Sequence, residues 1–479
     1  MSYNNLRDFI DLLEKKNNLR RISATVNSEL EITEIADRMV KKNGPALLFE
    51  KVHNSPYPVL INAFASIERM NWALETESLD KIALRMMSLV PSSPPKTFWE
   101  KIGVLLKLKE LSNFQPKKIK SAPCQEVIET DVNLDIIPIL KCWPHDAGRF
   151  ITLPLVITKN PDTGVQNIGM YRMQVYDKKT TGMHWHTHHD GARNYREHQK
   201  LGRKMEVAVA LGGDPATIYS ATAPLPPGLD ELIFSGFLRT EAVETVKAHT
   251  LDLYVPAHAE FILEGYVDLK EIRPEGTFGD HTGYYSPVED FPVFHIECIT
   301  RRKDAIYPAT IVGKPPMEDC FMGKATERIF LPLVRTQLPE IVDYSLPFEG
   351  VFHNCVIVSI KKEYPGQARK VASLLWGLGQ MMFSKVIIIV DDDVDVQNYS
   401  EVTWKVFNNV DPERDIFFHK GPLDVLDHSA PVPKYGSKMG VDATKKTQEE
   451  GHPRKWPLDI KMDKNIVDLV NSRWKEYGF

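Results

Sequence analysis

No stretch of this chain is apolar enough to span a bilayer. Its longest purely aliphatic run is Val386–Val390, against the roughly 20 residues a spanning helix needs. The amino end lacks a signal-peptide core. It carries Leu6, Phe9, Ile10 and Leu13 at helical spacing instead, the pattern of an amphipathic helix. Cysteine is scarce: Cys124, Cys142, Cys298, Cys320 and Cys355 are scattered, with no CxxC pair. That excludes a disulfide framework and fits reduced thiols in a cytoplasmic enzyme. There is no basic tail, and the net charge is -5, which argues against a general nucleic-acid binder. No repeat or low-complexity segment occurs. Gly436-Ser-Lys-Met-Gly440 resembles a phosphate loop only superficially, because the GxxxxGK[ST] pattern is missing.

What is present is an ordinary soluble composition, 43% hydrophobic and 26% charged over 479 residues, enough for two or three domains. Three regions differ in character. Residues 1–120 mix helix and short strand, with strands expected at Ala46–Phe49 and Val59–Phe64. A helix is expected at Leu79–Leu89, ended by Pro91, Pro94 and Pro95, before a basic stretch over Lys101–Lys120. Residues 121–305 are dense in short strands: Ile151–Ile157, Asn167–Tyr176, Val207–Leu211, Leu251–Val255, Ala259–Tyr266 and Val293–Thr300. Helical interruptions are expected at Asn194–Lys200 and Leu229–Leu238, and the whole suggests a barrel or sandwich. Residues 306–479 look α/β. Two apolar strands, Cys355–Ile360 and Lys385–Val390, flank a Gly366–Leu378 helix, which suggests a parallel sheet. A terminal helix at Ile466–Phe479 carries Val467, Val470 and Trp474 on one stripe and is expected to serve oligomerisation.

Unusual polar residues concentrate in the middle region. Asn167 and Arg172 would face opposite sides of a strand, but Gly169 permits a bend. Arg172 could bind a carboxylate or phosphate with its fork, or sit in a structural ion pair. His184, His186 and His188 alternate, so a strand would put them on one face and His189 on the other. Metal or phosphate binding and a solvated polar strand are both open there. Asp230 and Glu231 fit the first turn of a helix, where they complement its dipole. Glu275 and Asp280 lie five residues apart with Gly276 and Gly279 between them. A tight backbone could converge both acids on one pocket, or the segment could be a surface hairpin. Asp391–Asp393 with Asp395 could hold a metal, though acids at a strand's carboxyl end more often cap loops.

In this order and spacing these segments resemble the UbiD family. The likeness includes Tyr3-Asn-Asn-Leu-Arg-Asp-Phe9, Ala208-Val-Ala-Leu-Gly-Gly-Asp-Pro-Ala-Thr217, Asp304-Ala-Ile-Tyr307, Gly313-Lys-Pro-Pro316 and Pro339-Glu-Ile-Val-Asp343. It ends with Gly436-Ser-Lys-Met-Gly-Val-Asp-Ala-Thr444. The resemblance implies an N-terminal α/β domain (1–120), a central split β-barrel that holds a flavin (121–305) and a C-terminal α/β domain (306–479). It implies prenylated FMN as cofactor, supplied by a flavin prenyltransferase, and manganese as the metal, with potassium as a possible companion ion. Asn167, Glu231 and His189 match the metal ligands, with His188 as the alternative third. Met170, Tyr171 and Arg172, then His184, Trp185 and His186, then His189 and Asp190 match flavin-contacting runs. Arg172, Glu275 and Asp280 match the catalytic constellation, with Asp280 as proton donor.

Two departures stand out. Asp280 follows the hydroxybenzoate branch, where the ferulate branch has Glu. His189 replaces an Arg of the hydroxybenzoate branch. The implied reaction is non-oxidative loss of CO2 from an aromatic or α,β-unsaturated acid. A prenylated hydroxybenzoate or a naphthoate of quinone biosynthesis, or a small phenolic acid, would all fit, and a lipophilic one would allow peripheral membrane association. Such a step needs an electron sink that no side chain supplies. It also needs a proton donor, and burial beside Glu275 is expected to raise the Asp280 pKa. Two rivals remain: an FMN reductase on a split barrel, and a non-catalytic flavin-binding assembly partner. A homo-oligomer is expected.

Overall fold

Leu6, Phe9, Ile10 and Leu13 are buried along one side of the helix Leu6–Lys15, as their spacing predicts. Asn5 starts that helix by accepting the backbone N–H groups of Arg7 and Asp8. This computed structural model describes residues 3–89, 112–186, 189–225 and 229–479. Pro91, Pro94, Pro95, most of the Lys101–Lys120 stretch and His188 lie outside those residues. So do Pro226, Pro227 and Gly228, just before Leu229.

The N-terminal sheet contains Leu19–Val26, Ala46–Val52, Val59–Ile61 and Tyr307–Pro308, in that order. The first pair and the last pair are parallel, and the middle pair is antiparallel. Tyr307–Pro308 comes from far along the chain and closes the sheet's edge. The opposite edge strand, Leu19–Val26, was not anticipated, because its mostly exposed residues show no alternation.

The central sheet has seven strands, all antiparallel. Thr180–Gly182, Glu289–Arg301, Phe261–Glu275, Met205–Leu211, Pro154–Lys159 and Gln166–Met170 run side by side, and Val127–Glu129 adds to Glu289–Arg301. No hydrogen-bonded pairing joins its end strands among the described residues, so it is an open sheet and not a closed barrel. The expected Asn167–Tyr176 strand breaks in two, Gln166–Met170 and Met173–Gln174, with Tyr171 and Arg172 at the break. The expected His184–His188 strand is absent over its described residues. The chain leaves the sheet after Gly182 and turns into the helix Asp190–Leu201.

The C-terminal sheet runs Ile341–Ser345, Cys355–Ile360, Val386–Asp391, Tyr435–Asp442, Ile416–Pro422. Its three central strands are parallel and its two outer strands antiparallel. The Gly436–Gly440 run is strand, not loop. Asp391 accepts the Lys445 backbone N–H and Asp395 that of Gln397, so those acids brace loops. One buried core extends from Leu6 to Phe330, and two smaller ones lie within 331–443. The 20-residue helix Glu318–Gln337 went unpredicted, because it buries residues on several faces and so shows no single stripe. The five cysteines are free thiols. The tail is the helix Lys464–Ser472 followed by a separate turn, Trp474–Tyr477. No helix among the described residues is long and apolar enough to cross a membrane.

Candidate active site

Arg172 occupies the break in its strand, where its side chain leaves the pleat and turns inward. Its Nε donates to Glu275 Oε1 at 2.9 Å and its Nη1 to Asp280 Oδ2 at 2.5 Å. Nη2 reaches Ser286 Oγ at 3.4 Å, and the guanidinium lies 4.7 Å from the Phe278 ring centre. Glu275 ends the long strand Phe261–Glu275, and Asp280 sits in the following loop. The two acids therefore do converge on one arginine.

The loop is held from behind. Buried Asp146 accepts the backbone N–H groups of Cys142, Trp143 and Gly279, the last at 2.7 Å. A Cβ on Gly279 would stand 2.2 Å from the Trp143 ring, so glycine is needed for that approach. Neither Asp146 nor Trp143 was singled out from sequence. They lie more than a hundred residues upstream, in a segment with no motif of its own.

His184 extends the cluster. Its Nδ1 is 2.8 Å from Glu275 Oε1, and its Nε2 is 2.8 Å from His186 Nε2. The chain His186–His184–Glu275–Arg172–Asp280–His281 is thus continuous. Burial alone would raise both carboxyls. At Glu275 it is outweighed by His184 and Arg172, and at Asp280 by His281 and Arg172, so both stand below the ordinary carboxylate range. This corrects the expectation that burial and Glu275 would raise Asp280. Arg172 lies between the two acids, and His281 binds Asp280 directly. Burial, with the neighbouring histidines, drops His186 to about 2, so that ring is neutral.

A second polar cluster forms at Asn167, five residues before Arg172 along the chain. Asn167 Nδ2 donates to Glu231 Oε1 and the Ile168 N–H to Glu231 Oε2, both at 2.9 Å. Glu231 opens the helix Glu231–Arg239, which Asp230 caps through the Leu232 N–H. Burial lifts Glu231 to about 7. Asn167 Oδ1 is buried with no hydrogen-bond partner. Tyr171 sits between this pair and the next helix. Its ring centre is 4.8 Å from that of His189, and its hydroxyl lies in the fields of Asp190 and Glu231. His189 precedes Asp190–Leu201, and its Nδ1 accepts the His186 N–H at 3.2 Å. The segment has turned back on itself, so His189 does not point away from His186 as a strand would require.

An orphaned amide oxygen beside a carboxylate is a donor set for a hard cation. Asn167 and Glu231 fit such an ion. His189 fits once its Nδ1 gives up the His186 amide. No group of three or more His, Cys, Asp or Glu gathers as a metal cluster among the described residues, and the set proposed here includes an asparagine. Among the expected flavin contacts, Trp185 and His186 line a cavity of about 490 Å³ together with Ala192, Tyr195, Ile272 and Phe291. Trp185 Nε1 is buried without a partner beside Gly191. Met170 is half-buried at its strand's end, with its N–H on Ala221.

Three family profiles match in chain order. They are the 3-octaprenyl-4-hydroxybenzoate carboxy-lyase N-terminal domain over residues 10–86, the Rift-related domain over 117–315 and the C-terminal domain over 320–443. The chain belongs to the UbiD family. UbiD enzymes are carboxy-lyases, so the Arg172 site stands in an enzyme. An uncharacterized protein of Archaeoglobus fulgidus is 53% identical over 99% of both chains. Another, from Aquifex aeolicus, is 49% identical, again over 99% of both. The vanillic acid decarboxylase of Sedimentibacter hydroxybenzoicus in its closed form superposes with a TM-score of 0.84 at 27% identity, covering 100% of this chain and 98% of that one. The UbiD-class enzyme HmfF of Pelotomaculum thermopropionicum, in complex with FMN, gives 0.81 at 26%, covering 95% and 97%.

Proposed function

We propose that this UbiD-family enzyme removes CO2 from an aromatic or α,β-unsaturated carboxylic acid, a hydroxyaryl acid in particular, using prenylated FMN and a divalent metal. The observation that carries this reading is the buried Arg172 fork between Glu275 and Asp280. A neighbour named as a vanillic acid decarboxylase and another bound to FMN support it. An evolved dimeric form of HmfF in complex with prFMN supports the cofactor.

In this reading the open central sheet is the flavin-holding split barrel, between an N-terminal domain (1–120) and a C-terminal one (306–479). Asn167 and Glu231, with His189, would hold the divalent ion, Mn²⁺ in this reading, and the runs Met170–Arg172, His184–His186 and His189–Asp190 would line the flavin when it is bound. When bound, the flavin supplies the sink for the electron pair that CO2 leaves behind.

The rest falls to side chains. Arg172 orients the substrate carboxylate, and Glu275 fixes the guanidinium through Nε. Phe278 and Phe291 keep water from the reacting carbon. Asp280 delivers the proton that replaces CO2. The exposed tail residues Val467, Leu469 and Trp474 favour a homo-oligomer. A cytoplasmic setting beside a flavin prenyltransferase completes the proposal.

The test is coexpression with a flavin prenyltransferase, followed by mass measurement of products from a panel of aromatic and cinnamic-type acids. One acid should lose 44 mass units, the mass of CO2, without NADH. Consumption of NADH in the absence of any acid would favour a reductase instead.

A further inference from the structure

Asp280 presents a difficulty for a proton donor, because burial, which favours a proton on it, is outweighed by His281 and Arg172. Its Oδ2 is tied to Arg172, and its Oδ1 accepts both the backbone N–H and the Nδ1 of His281, each at 2.8 Å. The proton of this pair sits on the imidazole.

The other edge of that imidazole faces the C-terminal region. His281 Nε2 is buried without a partner. The His281 ring centre is 5.7 Å from Phe352 and 5.5 Å from His353, the latter perpendicular. An unusual turn puts them there. Val351 and Phe352 both take left-handed backbone, at φ 41° and 69°, a costly conformation for a β-branched and a bulky residue. Phe352 lies flat against Gly323, where a Cβ would come within 2.3 Å of its ring. Gly323 belongs to the helix Glu318–Gln337, which also carries Asp319.

His353 Nε2 is likewise buried without a hydrogen-bond partner, 3.6 Å from Asp424 Oδ1. The Asp424 side chain is 25% exposed and so reaches solvent. A third orphan, Asp319 Oδ1, is buried in the field of His281 and Asp280. Three unpaired polar atoms in one buried cluster are rare enough to need a reason.

Resting on the decarboxylase reading, we infer that His281, backed by His353 and Asp424, is the route by which Asp280 receives the proton it gives up in each turnover. When the bond to the carboxyl carbon breaks, CO2 leaves and its electron pair stays on the substrate carbon. His281 Nδ1 passes its proton to Asp280 Oδ1, which hands it to that carbon, and the imidazole, left neutral, is recharged from solvent through Asp424 and His353. One proton is drawn from water for each CO2 released. His281 and His353 act through Asp280 and are positioning residues.

The electrostatics suit the roles. Burial would lower His281, but Asp280, Asp319 and Asp424 outweigh it, so it holds its proton more firmly than an ordinary histidine. Burial drops His353 to about 4 against the pull of Asp424 and Asp427, so it rests neutral and can accept. Asp427 is itself held by Lys385. Burial lifts Asp319 to about 6, leaving it a weak local anion.

The experiment uses the flavin-loaded holoenzyme. His281→Gln should lower kcat about 10²-fold with KM nearly unchanged, and remove the alkaline fall in kcat that His281 deprotonation causes. His353→Ala and Asp424→Asn should make kcat depend on buffer concentration, with small imidazole restoring it. A readout independent of turnover is the His281 C2–H resonance in histidine-labelled protein. It should titrate above an ordinary histidine and move down in Asp280→Asn. Buffer-independent, wild-type kcat in both His353→Ala and Asp424→Asn would overturn the route. So would a His281→Gln variant changed in KM alone, which would make His281 a substrate contact. If no acid is turned over, the decarboxylase reading fails, while the resonance still tests the pair.

Discussion

Asp280 grips its own chain neighbour, accepting both the backbone N–H and the ring Nδ1 of His281 at 2.8 Å. Asparagine at 280 keeps the shape and one acceptor oxygen, enough for His281 or Arg172 though not for both, so Asp280→Asn should fold and load flavin. It cannot give up a carboxylic proton. Turnover should fall by about 10²–10⁴-fold, the usual worth of a positioned general acid. In D2O the wild-type product should carry deuterium at the carbon that lost CO2. Wild-type turnover by the flavin-loaded variant would return the role to Glu275 or water.

Arg172 ties Glu275 and Asp280 to one cation, which gives the site a pH signature. Both carboxyls sit below their ordinary values, since His184 and Arg172, or His281 and Arg172, outweigh burial. A lowered carboxyl contributes stability that is fully present above the unfolded values of about 3.9 and 4.3. It is lost as the pH falls through the lower folded values. Arg172→Ala leaves buried acids short of their partner, a loss on the order of 3–5 kcal/mol at pH 7. Urea unfolding should show that loss at pH 7 and a much smaller one near pH 2. An equal loss at both pH values would mean the pairs do not carry the effect.

Much of this site could be read from sequence because its residues cluster in short segments. Asn167 to Arg172 and Glu275 to Asp280 each span six positions, and the fold joins them by placing Gln166–Met170 and Phe261–Glu275 in one sheet. Arg172 gained its inward aim from a strand break after Met170, next to the Gly169 bend the sequence allowed, within a stretch expected to run as one strand to Tyr176. The His184–His189 run misled, since alternation was taken as strand where the chain turns. Asp146, His353 and Asp319 were invisible for another reason. Each is a lone polar residue whose meaning comes only from packing against a distant loop. The central parallel strands of the C-terminal sheet were legible from their unbroken apolar runs, but its antiparallel edges were not.

Asp146 should matter to both stability and rate. It satisfies three backbone N–H groups, one of them on Gly279 beside the catalytic acid. Asp146→Ala leaves these donors without an acceptor and should cost about 2–3 kcal/mol. It also frees the loop, so kcat should fall even at temperatures where the variant is fully folded. Denaturant unfolding paired with kcat at low temperature separates the two effects. A stability loss with normal kcat would show that the loop holds its shape without this brace.

The cofactor reading predicts dependence on a second enzyme. Protein made in a strain lacking a flavin prenyltransferase should carry plain FMN or none and should not turn over substrate. Coexpression should restore activity and alter the bound flavin's absorbance and mass. Equal activity from both strains would reject prenylated FMN as the cofactor.

Glu231 gives the metal reading its sharpest test. Burial lifts this carboxyl to about 7 and Asn167 Oδ1 has no partner, so the pair is poised for a cation rather than satisfied without one. A metal takes the ionised carboxylate, so binding by metal-free protein near neutral pH must release part of a proton. Mn²⁺ affinity should therefore rise with pH between about 6 and 8 and level off above, where Glu231 is already ionised. Calorimetry in two buffers of different ionisation enthalpy would count that proton. Glu231→Gln should abolish the pH dependence, lower metal content and reduce flavin occupancy, because one ion would serve both. Asn167→Ala should also lower metal content, yet keep the pH dependence. If both variants retain wild-type metal stoichiometry, these residues are not ligands. Their hydrogen bond would then be no more than a buried brace between Gln166–Met170 and the helix Glu231–Arg239.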